Sequence, residues 1–124
     1  MTCRILIVDD DRDHADSIAD ILIMRGHEVE LAYTGEDAVR RFGEGVFELT
    51  LMDVKLPGMN GVEAFLALRQ QCDDAVVIMM TGFSLEHLLA QAVLSGAGGV
   101  LYKPFAAAEL LEVIARTVPP KRAA

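Results

Sequence analysis

Polar groups in this chain fall where apolar runs stop, and as a set they could move a phosphoryl group. Asp9-Asp10-Asp11 follows Arg4-Ile5-Leu6-Ile7-Val8, and Asp53 ends the run Leu49-Thr50-Leu51-Met52. Thr81 follows the run 76–80, and Lys103 follows Val100-Leu101-Tyr102. An aspartate carboxylate can attack phosphorus and carry the group as an acyl phosphate. Such a transfer asks for in-line placement and neutralised equatorial oxygens more than for an acid or a base. A cation held by Asp9, Asp10 and Asp53 would cover one oxygen and Lys103 a second. The Thr81 hydroxyl, with nearby backbone N–H groups, would cover a third. Converging carboxylates repel by several kcal/mol per pair at an effective dielectric of about 20, so they stay ionised together only around a cation. Oxygen donors with no nearby thiolate or imidazole suit Mg²⁺, which with Lys103 brings the three carboxylates to zero net charge.

Each of these groups needs an element to hold it. The apolar runs have strand length and no alternation, so they read as strands buried on both faces, with Glu28–Ala32 as a further short strand. Between them apolar residues recur at helical spacing. Ala15, Ile18, Ala19 and Leu22 form one such face, stopped by Gly26. Ala38, Val39 and Phe42 form a second, after a capping-box variant (Thr34 with Asp37), and Gly43 to Gly45 ends it. A third begins near Gly61 with Val62, Phe65 and Leu66. A fourth, capped by Ser84, carries Leu85, Leu88, Leu89, Ala92 and Val93 and is broken by Gly96 to Gly99. The last carries Ala107, Leu110, Leu111, Ile114 and Val118 before Pro119-Pro120. Five strands alternating with five helices predict an α/β domain: a doubly wound, five-stranded parallel sheet covered on both faces. In such sheets ligands sit outside the carboxyl ends of the strands, at the point where strand order reverses. Every group named above is at such an end.

Bulk properties narrow the classes further. The 124 residues suit one domain, taken as 1–118, with 119–124 a tail or the start of a linker. That ending suits a domain cut from a longer regulator and equally a stand-alone protein. A net charge of −8 argues against direct nucleic acid binding by this domain and favours a divalent cation or a basic partner surface. Cys3 and Cys72 have neither the spacing nor the neighbours of a metal or redox motif, which predicts a reduced, cytoplasmic setting. The longest apolar run, 75–80, is too short to span a membrane, so no membrane association is expected.

Taken together, Val8-Asp9-Asp10, Asp53 with Pro57-Gly58, Thr81-Gly82 and Lys103-Pro104-Phe105 resemble the signature of two-component response-regulator receiver domains. The separations from Asp9 to Asp53, Thr81 and Lys103 in turn are 44, 28 and 22 residues, and the resemblance covers residues 3 to 118. It implies the flavodoxin-like strand order 2-1-3-4-5. It implies that Asp53 is the phosphoacceptor, that Asp10 and Asp53 bind Mg²⁺ directly with the Lys55 backbone carbonyl, and that Asp9 acts through water. Thr81 and Lys103 would read the phosphoryl group, and the Lys103–Pro104 bond would be cis. The implied partners are a histidine kinase or phosphotransfer protein upstream and an output domain or protein downstream. The domain would catalyse only its own phosphorylation and slow dephosphorylation, changing the face made by its fourth and fifth helices and fifth strand. One position departs from the family. Val100 stands where an aromatic residue usually couples to Thr81. Tyr102, two residues on, shares its sheet face about 6.6–7 Å further along, so the readout is carried by Tyr102 or is weaker than usual. Lys55 and Phe83 flank the mouth of the site.

Other readings of single residues remain open. Asp10 or Asp11 alone reads as a helix N-cap, Asp53 as a cap of the following turn, Thr81 as a strand residue and Lys103 as a snorkelling strand end. Asp13 and Asp16 read as solvated helix charges. His14, His27 and His87 read as surface residues without chemistry, and both cysteines as inert. The methionines and the 85–93 stripe read as core filling. The rival function is a Mg²⁺-dependent phosphohydrolase with an aspartyl-phosphate intermediate. Against it, Lys55 stands where a second acid would protonate a leaving group, and no insertion could enclose a substrate. A flavin-binding domain of the same architecture is disfavoured by carboxylates where a phosphate would have to sit.

Overall fold

The computed structural model describes residues 2–82, 92–93 and 96–118. Its sheet comprises β1 (Arg4–Val8), β2 (Glu28–Ala32), β3 (Leu49–Asp53), β4 (Val77–Thr81) and β5 (Gly99–Tyr102). All neighbours run parallel, in the order β2-β1-β3-β4-β5. Among the described residues four helices pack on it: α1 (Arg12–Met24), α2 (Gly35–Glu44), α3 (Gly61–Gln71) and, at the C-terminal end, α4 (Ala107–Thr117). This is the flavodoxin-like doubly wound fold that the alternation predicts. The helix expected from Ser84, with Phe83 and His87, lies outside the described residues apart from a helical pair at Ala92 and Val93. The tail 119–124 lies outside them as well. No helix among the described residues is long and apolar enough to cross a membrane.

Both sheet faces are buried, which is why the strands lack polar alternation. Ile5, Ile7, Leu51, Ile78, Met80 and Leu101 turn to one side, against Ile18 and Leu22 of α1 and Leu110 and Ile114 of α4. Leu6, Val8, Met52, Val77 and Met79 turn to the other, against Val62, Phe65 and Leu68 of α3 and Ala38 of α2. Burying a side chain of this size contributes on the order of 2 kcal/mol, so the sheet's carboxyl edge is held by a stiff aliphatic body. Two boundaries move by one residue: β4 includes Thr81 rather than Val76, and β5 begins at Gly99.

The helix starts orient the loops around that edge. Asp11 is the N-cap of α1, its Oδ1 accepting from the His14 N–H at 3.2 Å. Thr34 caps α2 by accepting from the Asp37 N–H at 3.0 Å. The Asp37 carboxylate does not return the favour; it accepts from Arg40 and Arg41 instead, so only half of the expected box forms. Asn60 and Glu63 complete a reciprocal capping box at the start of α3.

Candidate functional site

Parallel pairing aligns Val8 with Met52, so the next residues, Asp9 and Asp53, emerge side by side from the sheet. Asp9 is fully buried and Asp53 is 5 % exposed, while Asp10 faces solvent. Lys103 leaves β5, two strands from β3 at roughly 4.8 Å per strand, and only a long side chain spans that gap. Its backbone N–H is fixed to the Thr81 carbonyl at 2.7 Å, and the Lys103–Pro104 bond is cis as the resemblance implies. From there Nζ donates to Asp9 Oδ2 and to Asp53 Oδ2, each at 2.9 Å. A single ammonium thus joins two carboxylates that lie 44 residues apart in the chain.

The turn after β3 is close-packed. The Gly61 N–H donates to the Val54 carbonyl at 2.9 Å, and a Cβ at Gly61 would overlap the Asp53 carbonyl oxygen. The Lys55 N–H donates to Asp53 Oδ1 at 3.2 Å. Together these contacts aim the Asp53 side chain into an open cleft of about 420 Å³ lined by Asp9, Asp10, Asp53, Lys55, Gly82 and Lys103.

Burial separates the two carboxylates electrostatically. It pushes the Asp53 carboxyl up to about 6, because desolvation outweighs the Lys103 hydrogen bond and charge, and the Asp9 charge adds to it. Burial acts on Asp9 in the same sense but is overcome by donors from His14, Lys103 and the Asp11 N–H, and by the Lys103 charge. The net result lies below the ordinary carboxylate value. Lys103 is raised: burial opposes its charge, yet the hydrogen bonds and charges of Asp53 and Asp9 prevail.

Asp9, Asp10 and Asp53 each offer an oxygen within 4.8 Å of the others. An oxygen-only set of that size, open to water on the Asp10 side, fits a hard divalent cation. Thr81 is buried at the end of β4, directly beside Tyr102 in the pairing with β5. Val100 and Tyr102 separate more than their shared face implies. Val100 packs, half-buried, against the second apolar cluster, whereas Tyr102 is 64 % exposed.

Two of the histidines depart from the surface reading. His27 is buried, and its Nδ1 accepts from the Cys3 N–H at 2.9 Å. His14 enters the pocket: Nδ1 lies 2.6 Å from Asp9 Oδ2, and its ring meets Phe105 edge-on, centroids 5.5 Å apart. Its position was legible in part. His14 precedes Ile18 by one helical turn, so it borders the inward face of α1 above the end of β1. What the spacing does not carry is the rotamer that turns the ring toward Asp9.

A doubly wound parallel sheet with an acidic, lysine-bridged cleft at the β1/β3 switch point defines a flavodoxin-like domain built to handle a charged group. The chain belongs to the response regulator receiver domain family, whose model matches residues 5–115. The chemotaxis protein CheY of Bacillus subtilis is 35 % identical over 119 residues, covering 95 % of this chain and 99 % of that protein. The response regulator FleR of Pseudomonas aeruginosa is 32 % identical over 116 residues, covering 94 % of this chain; the chain spans only 24 % of FleR's length. A CheY-like receiver domain from Methanospirillum hungatei superposes with a TM-score of 0.91 at 34 % identity, covering 95 % of this chain and 94 % of that one. The receiver domain of a Pseudomonas aeruginosa sensor histidine kinase, with magnesium coordinated in its active site cleft, gives 0.85 at 28 % identity. It covers 95 % of this chain and 98 % of its own. Receiver domains are the signalling switches of two-component systems, acting between histidine kinases and output domains, and are not enzymes in the ordinary sense.

Proposed function

We propose that Asp53 accepts a phosphoryl group from the phosphohistidine of a histidine kinase or phosphotransfer protein. The observation that carries this reading is the Lys103 ammonium 2.9 Å from both Asp9 and Asp53, with Asp10 completing the carboxylate cluster. In the proposed step an Asp53 oxygen attacks phosphorus in line, the P–N bond to the donor imidazole breaks, and the imidazole leaves with the electron pair. Asp10, Asp53 and the Lys55 carbonyl would hold Mg²⁺ directly, with Asp9 acting through water; the ion supplies neutralisation of the phosphoryl oxygens. Lys103 turns from Asp53 to a phosphoryl oxygen, and Thr81 is drawn to another. The magnesium held by the kinase receiver domain with the same fold supports this assignment.

Phosphorylation adds close to two negative charges beside Thr81 and Lys103, which biases the face of β5 and α4 between two arrangements. With valine at 100, the exposed Tyr102 beside Thr81 is the candidate carrier of that signal. An output domain or protein would read it, in the cytoplasm where the phosphodonor is made.

The test is to add a small phosphodonor and Mg²⁺ and follow the intact protein by mass. A single retained phosphoryl group, lost in Asp53→Asn and without Mg²⁺, is the expected result. Rapid multiple turnover of varied phosphomonoesters would instead establish the phosphohydrolase.

A further inference from the structure

His14 belongs to the pocket's hydrogen bonding but to none of the steps above. Asp9 is fully buried, and among the described residues three donors stabilise its charge. Oδ1 accepts from the Asp11 N–H at 3.0 Å, and Oδ2 accepts from Lys103 Nζ and from His14. An ionised carboxylate only accepts hydrogen bonds, so the His14 nitrogen facing it is the donor whether the ring is neutral or charged. The backbone N–H of His14 is tied to the Asp11 cap, which places the residue on the first turn of α1, and its ring packs edge-on against Phe105 at 67° between planes. Lys103 is a divided donor, shared with Asp53, and must leave when a phosphoryl oxygen claims it. Among the described residues His14 has no second carboxylate partner.

We propose that His14 is a positioning residue for the cation site: through Nδ1–H it pins the Asp9 carboxylate where Asp9, Asp10 and Asp53 converge, and so frees Lys103 to move. The inference rests on the phosphoacceptor reading, since it takes Asp9 to serve the cation. Hydrogen-bonding partners of carboxylates that serve metals are typically worth 10–100-fold in metal affinity. The Asp11 N–H reaches only the other oxygen, so among the described residues His14 is the one undivided donor to Oδ2.

The experiment is Mg²⁺ titration by calorimetry on the full chain, comparing wild type, His14→Phe and His14→Asn. Phe keeps a ring against Phe105 and removes the donor; Asn places an amide N–H near the position of Nδ1. His14→Phe is expected to bind Mg²⁺ about 10-fold more weakly, and His14→Asn to stay within about threefold of wild type. Wild-type affinity in His14→Phe, or equal weakening in both variants, overturns the proposal while leaving the phosphoacceptor reading intact. A folded wild type that takes up no Mg²⁺ overturns both. A measurement that needs no variant is ring-nitrogen NMR of the metal-free protein at a pH where His14 is neutral. The proton is expected on Nδ1, and a ring carrying it on Nε2 overturns the proposal.

Discussion

Replacing Asp53 by asparagine should stabilise the metal-free protein, and by an amount that depends on pH in a defined way. The substitution keeps the shape of the side chain and removes its charge. Burial raises the Asp53 carboxyl from 3.8 to about 6, so ionising it in the folded state costs about 3 kcal/mol at roughly 1.4 kcal/mol per pKa unit. The sign follows from proton counting. Between the unfolded value and about pH 6 the folded chain holds a proton that the unfolded chain has lost, so this residue's contribution to stability falls as pH rises through that window. Asparagine has no such titration. The two proteins should therefore differ little near pH 4, diverge up to about pH 6, and remain about 3 kcal/mol apart above it, as an upper figure, because asparagine gives Lys103 a weaker acceptor. Urea unfolding in EDTA at several pH values reads the gap directly. If Asp53 holds Mg²⁺ as proposed, saturating Mg²⁺ should close it, since the ion would stabilise the folded wild type by mass action and would lose a ligand in the variant. A gap that is the same near pH 4 and pH 8, or a variant less stable than wild type in EDTA at the higher pH, would refute the argument that desolvation governs Asp53.

Other outcomes follow from the same geometry. Lys103→Met leaves Asp9 and Asp53 facing each other without their shared ammonium, and should cost about 3 kcal/mol in EDTA, less in Mg²⁺. A urea midpoint unchanged in EDTA would count against the bridge. Gly61→Ala drives a methyl group into the Asp53 carbonyl, where backbone meets backbone and neither can yield, so a loss of about 3 kcal/mol is expected. Wild-type unfolding of that variant would show the turn to be more compliant than its packing indicates. If Tyr102 carries the proposed readout, Tyr102→Ala should abolish phosphorylation-dependent partner binding while leaving the proposed phosphoryl uptake by Asp53 intact. Partner binding that persists in Tyr102→Ala and Tyr102→Phe removes Tyr102 from the readout.

Local patterning was enough to predict the fold class of this protein, and the motif resemblance supplied its family. Unbroken apolar runs read as two-faced strands because a sheet covered by helices has no solvent side, and the helix faces at Ile18, Phe65 and Ile114 recur at 3.6-residue spacing because they pack on it. Polar residues at strand ends were legible for the same reason: an aspartate terminating a buried strand has no packing explanation. Neither runs nor spacings encode where separate strand ends meet. That Asp9 stands beside Asp53 depends on β1 and β3 being neighbours in register, and that Lys103 reaches both depends on β5 closing the same edge. His14 shows the limit most plainly. Its helical position was readable, but its partner is decided by a side-chain rotamer that packs the ring on Phe105 and meets the buried Asp9 carboxylate. The opposite pKa directions of Asp9 and Asp53 arise in the same way, from the number of donors each finds in three dimensions, and identical residue types cannot express that difference along a chain.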